Sequence, residues 1–382
     1  MVDAILNALT SLLMGIGYLL DHGFPNVVMI LVSFLLFYLG IRKGVEPLLL
    51  IPIGFGCLLV NMPLSDVMDK GGVLKTLYDM GIINELFPLL IFIGIGAMTD
   101  FGPLLENPKI LLLGAAGQFG IFITLLLSLF LGFSKLQSVC IGIIGACDGP
   151  TAIYVTSKFA PEILGAVSVA AYSYMSLVPI IQPPIMRVLT SKREKEIVMG
   201  SMGKGVSKET RILFPIIVTL ITGLIAPMGL PLMGMIMLGN FMKESGVVER
   251  LTKASQEEIA NAVTLFLGLA IGGTMEGHAF LKVETLIIFS LGFLAICFDT
   301  VAGVMFGKLM CLLSGGKINP LIGAAGISAY PMAARVVQIE GQRYKKTNYL
   351  LMHAMGANTG GQIGSVMTAS IILSVLKGIQ LI

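Results

Sequence analysis

Asp148 is the residue with the most distinctive chemical setting, because it lies in Gly145-Ala-Cys-Asp-Gly-Pro150 within an otherwise apolar stretch. It is the only charged residue between Val139 and Val155. A carboxylate at membrane depth costs about 3 kcal/mol on insertion scales, so such residues commonly mark an ion or proton pathway. The Gly-Pro pair interrupts the helix and frees backbone groups that can bind ions. The motif predicts a cation site in a membrane transporter. A carboxylate hydrogen-bonded for purely structural reasons is the alternative.

A second stretch of helix breakers, from Asn319 to Pro331, offers neutral oxygens. It supplies the Asn319 amide, the Ser328 hydroxyl and backbone carbonyls that no regular helix would use. A hard monovalent cation such as sodium is bound by several neutral oxygens, with or without one carboxylate. Asp148, Ser328 and these carbonyls therefore predict a sodium site. The alternatives are that Asn319 caps the helix after Pro320 and that Ser328 is a small residue permitting close packing.

The elements that must position these residues are membrane helices. Of 382 residues, 55% are hydrophobic and only 12% are charged, and the mean hydropathy is +0.92. A soluble protein of this size would need a more polar surface, so the composition predicts an all-α polytopic membrane protein. The net charge of +3 comes without a basic and aromatic patch, so nucleic acid is not an expected partner. The five cysteines form no Cys-x-x-Cys pair, and nothing resembles a P-loop.

The apolar segments fall into two sets that resemble each other in order. We divide the chain into an N-terminal amphipathic segment (1–25), a first membrane repeat (26–187), a cytoplasmic linker (188–210) and a second membrane repeat (211–382). Residues 91–97 align with 265–271, and Gly145-Ala-Cys-Asp148 aligns with Gly323-Ala-Ala-Gly326. Two broken segments in corresponding positions predict a duplicated transporter fold. Chance similarity between glycine-rich apolar segments is the alternative.

Basic residues indicate how the two sets are oriented. Positive charge marks cytoplasmic loops, and it is dense in the linker with its flanks and in the loop after the second broken segment. The corresponding loop of the first half, 157–162, has a single basic residue, which predicts halves inserted with opposite topology. Arg42 and Lys43 fit this orientation poorly. The basic residues that set it are Arg187, Lys192, Arg193, Lys195, Lys204, Lys208, Arg211, Arg335, Arg343, Lys345 and Lys346.

Two further polar places lie in apolar segments. Asp299 is a second acid within a span, where it could gate ions or protons or pair with a neighbouring helix. The stretch from Gly356 to Ser365 is too polar and too rich in glycine for lipid contact. It is expected to line a cavity, and a tight helix-helix contact would use the same small residues.

The two motifs together resemble a known family. Gly145-Ala-Cys-Asp-Gly-Pro-Thr-Ala-Ile-Tyr154, Asn319-Pro-Leu-Ile-Gly323 and Gly326-Ile-Ser-Ala-Tyr-Pro331 look like the membrane beta subunit of biotin-dependent sodium-pumping decarboxylases. That family serves oxaloacetate, methylmalonyl-CoA, glutaconyl-CoA and malonate decarboxylases. The resemblance extends over nearly the whole chain and implies two inverted repeats with an elevator-type core moving past a scaffold.

The resemblance also implies roles for individual residues. The family's essential acid corresponds to Asp148, and its tyrosine in the next helix corresponds by spacing to Tyr174, with Tyr172 as the near miss. Asp148, Tyr174 and Arg335 would be catalytic, and Arg335 would bind carboxybiotin. A packed aromatic for Tyr174 and a positive-inside anchor for Arg335 are the alternatives. The residues implied to hold sodium are Asp148, Asn319, Gly323 and Ser328.

The implied activity is decarboxylation of carboxybiotin coupled to sodium export, with a proton consumed from outside. Biotin would arrive on a partner, because this chain has no Ala-Met-Lys-Met-type attachment sequence. The implied partners are biotin-carrier and carboxyltransferase subunits and a small membrane gamma or delta subunit, in a homotrimer in the bacterial cytoplasmic membrane. A stand-alone sodium-coupled carboxylate transporter is the main alternative, and a passive channel or scaffold is a second.

Overall fold

The computed structural model describes residues 23–44, 46–200 and 205–378, together with Gly15 and Gly17. The predicted amphipathic segment 1–25 therefore lies almost entirely outside the described residues. The described part is helical and contains no strand, which confirms the all-α prediction. It includes five helices long and apolar enough to cross a membrane, or six if one pair bent by 61° counts as a single span. These helices agree with the predicted membrane protein.

The first half is a series of helices interrupted at glycines and prolines. Its described helices are α1 (Phe24–Lys43), α2 (Pro47–Val60), α3 (Val73–Leu77), α4 (Leu86–Met98), α5 (Gly102–Glu106), α6 (Leu111–Ala116), α7 (Phe119–Phe130), α8 (Lys135–Gly142), α9 (Gly149–Phe159) and α10 (Leu164–Leu189). A π-helical turn, Tyr78–Ile83, lies between α3 and α4, and a 3₁₀ turn, Ile143–Ala146, follows α8.

The second half follows a similar order after the short linker helix α11 (Lys192–Lys195). Its helices are α12 (Lys208–Ile225), α13 (Leu230–Ser245), α14 (Glu249–Ala254), α15 (Ala260–Gly273), α16 (Gly277–Phe280), α17 (Val283–Leu313), α18 (Met332–Tyr344) and α19 (Leu351–Gly378). A π-helical turn, Ser255–Ile259, precedes α15, and a 3₁₀ segment, Pro320–Gly326, precedes α18.

Helices of the two halves pack closely on each other. α2 packs against α15, and α4 packs against α13. The α2–α15 contact requires glycine, because a Cβ at Gly56 would collide with the Leu269 carbonyl and one at Gly272 with the Ile53 carbonyl. Small residues allow membrane helices to approach until their backbones touch, which replaces the missing hydrophobic driving force with van der Waals contact. We refer to α1, α2, α4, α13 and α15 as the scaffold helices.

The first helix break follows from local chemistry. After the 3₁₀ turn, Cys147 adopts a left-handed backbone conformation (φ 51°) and Asp148 is extended. Pro150 then stands in the first turn of α9, where its missing N–H costs no hydrogen bond. The Asp148 side chain caps this helix by accepting a hydrogen bond from the Thr151 N–H. The break therefore places a carboxylate at a helix N-terminus.

Candidate functional site

The two breaks meet directly. The Ser328 N–H, in the second break, donates a hydrogen bond of 3.2 Å to the Ala146 carbonyl in the first. Segments separated by more than 180 positions in the sequence therefore share backbone groups at one point. A cation site formed by both breaks requires this proximity.

Asp148 lies at this junction, and its carboxylate accepts hydrogen bonds from hydroxyl groups. Its side chain is only 6% exposed. One carboxylate oxygen accepts hydrogen bonds from the Thr151 hydroxyl at 2.6 Å and the Ser365 hydroxyl at 3.3 Å. In the described residues Asp148 forms no ion pair. A buried carboxylate without a basic partner is a favourable place for a small cation.

Carboxamides hold the backbone of the second break in place. Gln118 on the turn before α7 donates to the carbonyls of Gly114, Gly326 and Gly361 at 3.1–3.3 Å. Asn358 donates to the Ile327 carbonyl at 2.6 Å. Buried carbonyls that no helix satisfies need such donors.

A third carboxamide belongs to Gln182, which donates to the Ala324 carbonyl at 2.6 Å. None of these three side chains was among the predicted site residues. A polar residue within each apolar segment was the available indication in the sequence.

Ser328 lies in the second break beside the cavity, and its role as a sodium ligand stays a prediction. Its hydroxyl donates to the Gly361 carbonyl at 2.8 Å, and its side chain lines the same cavity as Asp148. Gln362, within the polar stretch from Gly356 to Ser365, lines the cavity as well. That part of the cavity prediction is confirmed. The glycines of the same stretch also make close helix contacts, since a Cβ at Gly361 would collide with the Gly326 carbonyl.

Asn319 and Gly323 lie in the second break but outside the cavity lining. Asn319 caps the 3₁₀ segment, since its oxygen accepts from the Leu321 N–H at 3.0 Å. Its amide group donates to the Lys195 and Ile197 carbonyls of the linker at 3.1 and 2.9 Å. Gly323 packs against Gly303 of α17, whose carbonyl a Cβ would strike. These contacts of Asn319 match the alternative interpretation, in which it caps the helical segment that follows and does not bind sodium.

A cavity of about 730 Å³ opens beside the two breaks. Three charged side chains line it among the described residues, and most of the remaining wall is apolar. Charges in such a setting interact more strongly than in water because the surrounding dielectric constant is low. Residues that line the cavity include Glu46, Leu48, Ile91, Ile95, Met98, Asp148, Tyr172, Thr264, Ser328, Arg335, Met355 and Gln362.

The tyrosine beside Asp148 is Tyr172, and the expected placement of Tyr174 there was wrong. Tyr172 lines the cavity, and its ring packs so closely on Gly149 that a Cβ there would collide with it. The Tyr174 hydroxyl instead donates to the Phe289 carbonyl of α17 at 2.6 Å. Residues two apart on a helix point in directions about 200° apart, so only one of the pair can face the cavity. The motif spacing alone could not determine the rotation of α10.

Arg335 lines the cavity from the first turn of α18 and is exposed. In the described residues it has no acidic partner, whereas Arg187 and Arg343 both pair with Glu340. Its guanidinium group is therefore free to bind an anion. Planar guanidinium groups bind carboxylates through two parallel hydrogen bonds.

Asp299 pairs with a neighbouring helix. It is fully buried in α17, and one oxygen accepts a hydrogen bond from the Gly120 N–H at the start of α7. Its other oxygen has no hydrogen-bond partner among the described residues. Asp299 lies behind the first break, next to Gly145, and is not part of the cavity lining.

Thr151, Ser365 and Glu46 also were not among the individually predicted site residues, although Ser365 ends the polar stretch that was expected to line a cavity. Thr151 and Ser365 contact Asp148, and Glu46 lines the cavity from the turn before α2. An Asp at a helix N-cap accepts from the third residue of the helix, and this rule would have identified Thr151. Glu46 stands immediately before an apolar segment and reads as an ordinary polar flank, so only the tertiary structure reveals its position.

Comparison with known proteins gives consistent matches along the chain. The profile of the family described as "Na+-transporting oxaloacetate decarboxylase beta subunit" matches residues 25–376. The glutaconyl-CoA decarboxylase subunit beta of Acidaminococcus fermentans is 50% identical over 377 residues, covering 99% of this chain and 100% of that protein. The methylmalonyl-CoA decarboxylase subunit beta of Veillonella parvula is 51% identical over 362 residues, covering 94% and 96%.

The oxaloacetate decarboxylase beta chain of Klebsiella pneumoniae is 45% identical over an alignment of 429 positions, covering 96% of this chain and 99% of that protein. Matches of this extent, together with membrane helices and a buried acid at paired helix breaks, agree with the resemblance carried by the two motifs. The chain belongs to the family of beta subunits of sodium-transporting, biotin-dependent decarboxylases.

Proposed function

We propose that this chain decarboxylates carboxybiotin delivered by a partner subunit and couples that reaction to sodium export. The observation that carries the proposal is one cavity lined by Arg335 and by the buried Asp148 carboxylate, neither of which forms an ion pair among the described residues. The first suits an anion and the second a cation. The relatives are named as decarboxylase subunits, which favours this function over a stand-alone sodium-coupled carboxylate transporter.

Arg335 and the apolar wall act together on the anion. Arg335 attracts the carboxylate of carboxybiotin to the cavity. Ile91, Ile95 and Met355 then surround it with hydrocarbon. Loss of water favours decarboxylation, because the negative charge becomes dispersed as carbon dioxide leaves.

The sodium site is centred on Asp148. The Thr151 and Ser365 hydroxyls that contact its carboxylate, and the Ser328 hydroxyl nearby, are oxygens that can turn from donating a hydrogen to coordinating a cation. Sodium neutralises the charge, which lowers the cost of moving this region through a low-dielectric barrier. A proton replaces sodium on the outer side and is consumed when biotin is released. Asn319 and Gly323 remain predicted sodium-site residues, and their contacts support a role in holding the second break rigid.

We further propose that the two halves are inverted repeats. α2 and α15 run parallel, since Pro52 contacts Gly268 near the middle of each helix and Asn61 bonds to Met275 just past their C-terminal ends. The pairs α2–α15 and α4–α13 each join an early helix of one half to a later helix of the other. Two inverted copies would produce this reciprocal pairing.

The cavity then opens toward the cytoplasm. Gln256, just before α15, donates to the Ala97 carbonyl, and Asp100 pairs with Arg211 at the end of the linker. The start of α15, the end of α4 and the linker thus lie on one side, which the basic linker assigns to the cytoplasm. Because α2 parallels α15, its start lies on the same side. This arrangement explains Arg42 and Lys43, which fit the predicted orientation poorly.

An elevator movement fits the composition of the cavity wall. Glu46, Leu48 and Thr264 belong to the scaffold helices or their turns, whereas Asp148, Ser328 and Arg335 belong to the body formed by the breaks. Movement of that body past the scaffold would carry Asp148 across the membrane. The assembled protein is proposed to be a homotrimer with biotin-carrier, carboxyltransferase and small gamma or delta subunits in the bacterial cytoplasmic membrane.

The test is replacement of Asp148 in the assembled complex. Asp148→Asn keeps the size and removes the charge, so sodium-dependent decarboxylation of carboxybiotin and sodium uptake into vesicles should both be abolished. Size-exclusion chromatography of the complex should remain unchanged. Retained pumping by Asp148→Asn would remove this residue from the mechanism. Sodium uptake by the purified chain, without any decarboxylation of free carboxybiotin, would favour the stand-alone transporter.

A further inference from the structure

Glu46 is a charged cavity residue to which the proposed mechanism gives no role. It lies in the turn between α1 and α2, immediately before Pro47, and is partly buried. Its backbone is left-handed, with φ 34°. Residues other than glycine rarely adopt this conformation, and when they do they are concentrated at functional sites.

Glu46 lines the cavity from the scaffold side, whereas Asp148 and Arg335 line it from the breaks and α18. Tyr172, which packs on Gly149, lines the same cavity. Glu46 and Asp148 therefore face one shared cavity from two different parts of the protein.

The charge of Glu46 is not compensated locally. Arg42 and Lys43 are on the same turn, and Arg335 lines the same cavity, but none of the three forms an ion pair with Glu46 in the described residues. Lys43 instead stands over the Tyr38 ring, 6.0 Å from its centroid. A negative charge without a partner beside apolar walls attracts cations from solution.

The proposed activity requires this one cavity to admit two solutes of opposite charge. Arg335 provides for the anion, but it also repels sodium ions that approach Asp148. A carboxylate on the scaffold side of the cavity offsets that repulsion and gives the cation a second attracting charge on its way to Asp148. Clefts with low-dielectric walls focus such fields and raise the local concentration of the attracted ion.

We propose that Glu46 is a positioning residue for the transported cation, attracting sodium into the cavity and toward Asp148. This inference rests on the proposed sodium-coupled function. The described hydrogen bonds of the Asp148 carboxylate come from Thr151 and Ser365, and Glu46 is not among its partners. Its effect is therefore on capture of the ion from the cytoplasm, and the chemistry at saturating sodium does not depend on it.

The test is Glu46→Gln in the assembled complex. The sodium concentration that gives half the maximal decarboxylation rate should rise about fivefold, within the range of electrostatic steering effects. The maximal rate and the half-saturating concentration of carboxybiotin should change little. Glu46→Asp keeps the charge and should remain close to the natural protein. Glu257→Gln removes an exposed acid outside the cavity lining and should leave the sodium dependence unchanged.

A second variant adds charge instead of removing it. Thr264 lies on the same scaffold wall of the cavity and is partly buried. Thr264→Glu should lower the half-saturating sodium concentration about twofold to threefold. Because this variant keeps Glu46, it tests the inference even if Glu46→Gln does not assemble. An unchanged or raised half-saturating concentration in Thr264→Glu would contradict the role of wall charge.

The outcomes separate this inference from the proposed function. If Asp148→Asn abolishes activity and Glu46→Gln leaves sodium dependence unchanged, only the role of Glu46 is overturned. Equal impairment of Glu46→Gln and Glu46→Asp, with a lower maximal rate, would show that the turn is needed for structure and not for charge. If Asp148→Asn remains active, the sodium mechanism itself is wrong.

Discussion

The two helix breaks are built from different hydrogen-bonding groups. In the first, the Asp148 carboxylate accepts from the hydroxyls of Thr151 and Ser365. In the second, backbone carbonyls accept from the carboxamides of Gln118 and Asn358. The first break carries a negative charge whose partners are hydroxyl groups. The second break carries no charge, and its partners are carboxamide groups.

The difference lies in what each partner can do when a cation arrives. A hydroxyl can rotate and present its oxygen, so it can serve either a bare carboxylate or a bound ion. A carboxamide NH₂ group only donates, so the nitrogen holds a backbone carbonyl in place and leaves that carbonyl less available to a cation. The side-chain oxygens of Gln118 and Asn358, which have no hydrogen-bond partner among the described residues, are not needed for this role. The first break is therefore suited to exchanging ions, and the second to keeping a rigid frame around them. The following predictions test this division.

The largest effect is expected from Gly323→Ala in the second break. The new Cβ would collide with the Gly303 carbonyl, and backbone on both sides leaves little room to adjust. Overpacking of this kind costs about 3 kcal/mol or more. Thermal unfolding and size-exclusion chromatography should show a destabilised complex. Gly234→Ala, where a Cβ meets open space, is the control and should not lose stability; a stable Gly323→Ala complex would show that the frame is not rigid.

The next effect is expected from Gln118→Leu. Three backbone carbonyls share the Gln118 amide, and leaving buried carbonyls unsatisfied costs about 2 kcal/mol. Thermal unfolding should report this loss, while the half-saturating sodium concentration stays nearly constant. Gln342→Leu, at a partly buried glutamine of α18 with no side-chain hydrogen bond among the described residues, provides the comparison. A change in sodium dependence without a change in stability would place Gln118 in the ion site itself.

A smaller effect on stability, but a specific one on sodium, is expected from Thr151→Val. The variant removes a hydroxyl 2.6 Å from the Asp148 carboxylate. Loss of one hydrogen bond or ligand at a charged group corresponds to about a tenfold rise in the half-saturating sodium concentration. Thr156→Val is a matched control, because the buried Thr156 hydroxyl on the same helix has no described partner. Equal effects of the two variants would remove Thr151 from the ion site.

The smallest effects are expected at the two tyrosines of α10. Tyr174→Phe removes the hydrogen bond to Phe289 and should cost about 1 kcal/mol of stability without changing the decarboxylation rate. Tyr172→Phe removes a hydroxyl from the cavity wall and should lower that rate about threefold, the equivalent of less than one hydrogen bond. Steady-state rates and thermal unfolding measured on the same preparations compare the two. A lower decarboxylation rate in Tyr174→Phe alone would show that Tyr174, and not Tyr172, is the tyrosine that acts at the site.

The first break could be predicted from the sequence because its causes are local. A lone acid, a glycine and a proline in an apolar stretch determine where the helix must stop and what the stop contains. The second break was predictable for the same reason, including the capping role of Asn319. The all-α membrane fold followed from composition alone.

The rest of the site depends on contacts between distant elements. Gln118, Gln182 and Asn358 come from one turn and two helices that are far apart in the sequence, and no local pattern shows that each carboxamide reaches a carbonyl of the same segment. The choice between Tyr172 and Tyr174 depends on the rotation of α10 against α9 and α17, which packing decides. Glu46 reaches the cavity only because α2 packs against α15.

The bonds of Asn319 to the linker have a mechanical consequence. Its carboxamide joins the start of the second break to the Lys195 and Ile197 carbonyls, and Asn348 adds a further bond of 3.0 Å to Lys195. Displacement of this stretch of the linker must therefore pull on the second break, whose Ser328 N–H bonds to the Ala146 carbonyl two residues before Asp148. A soluble subunit that binds the linker could thus shift the ion-binding region without entering the membrane itself.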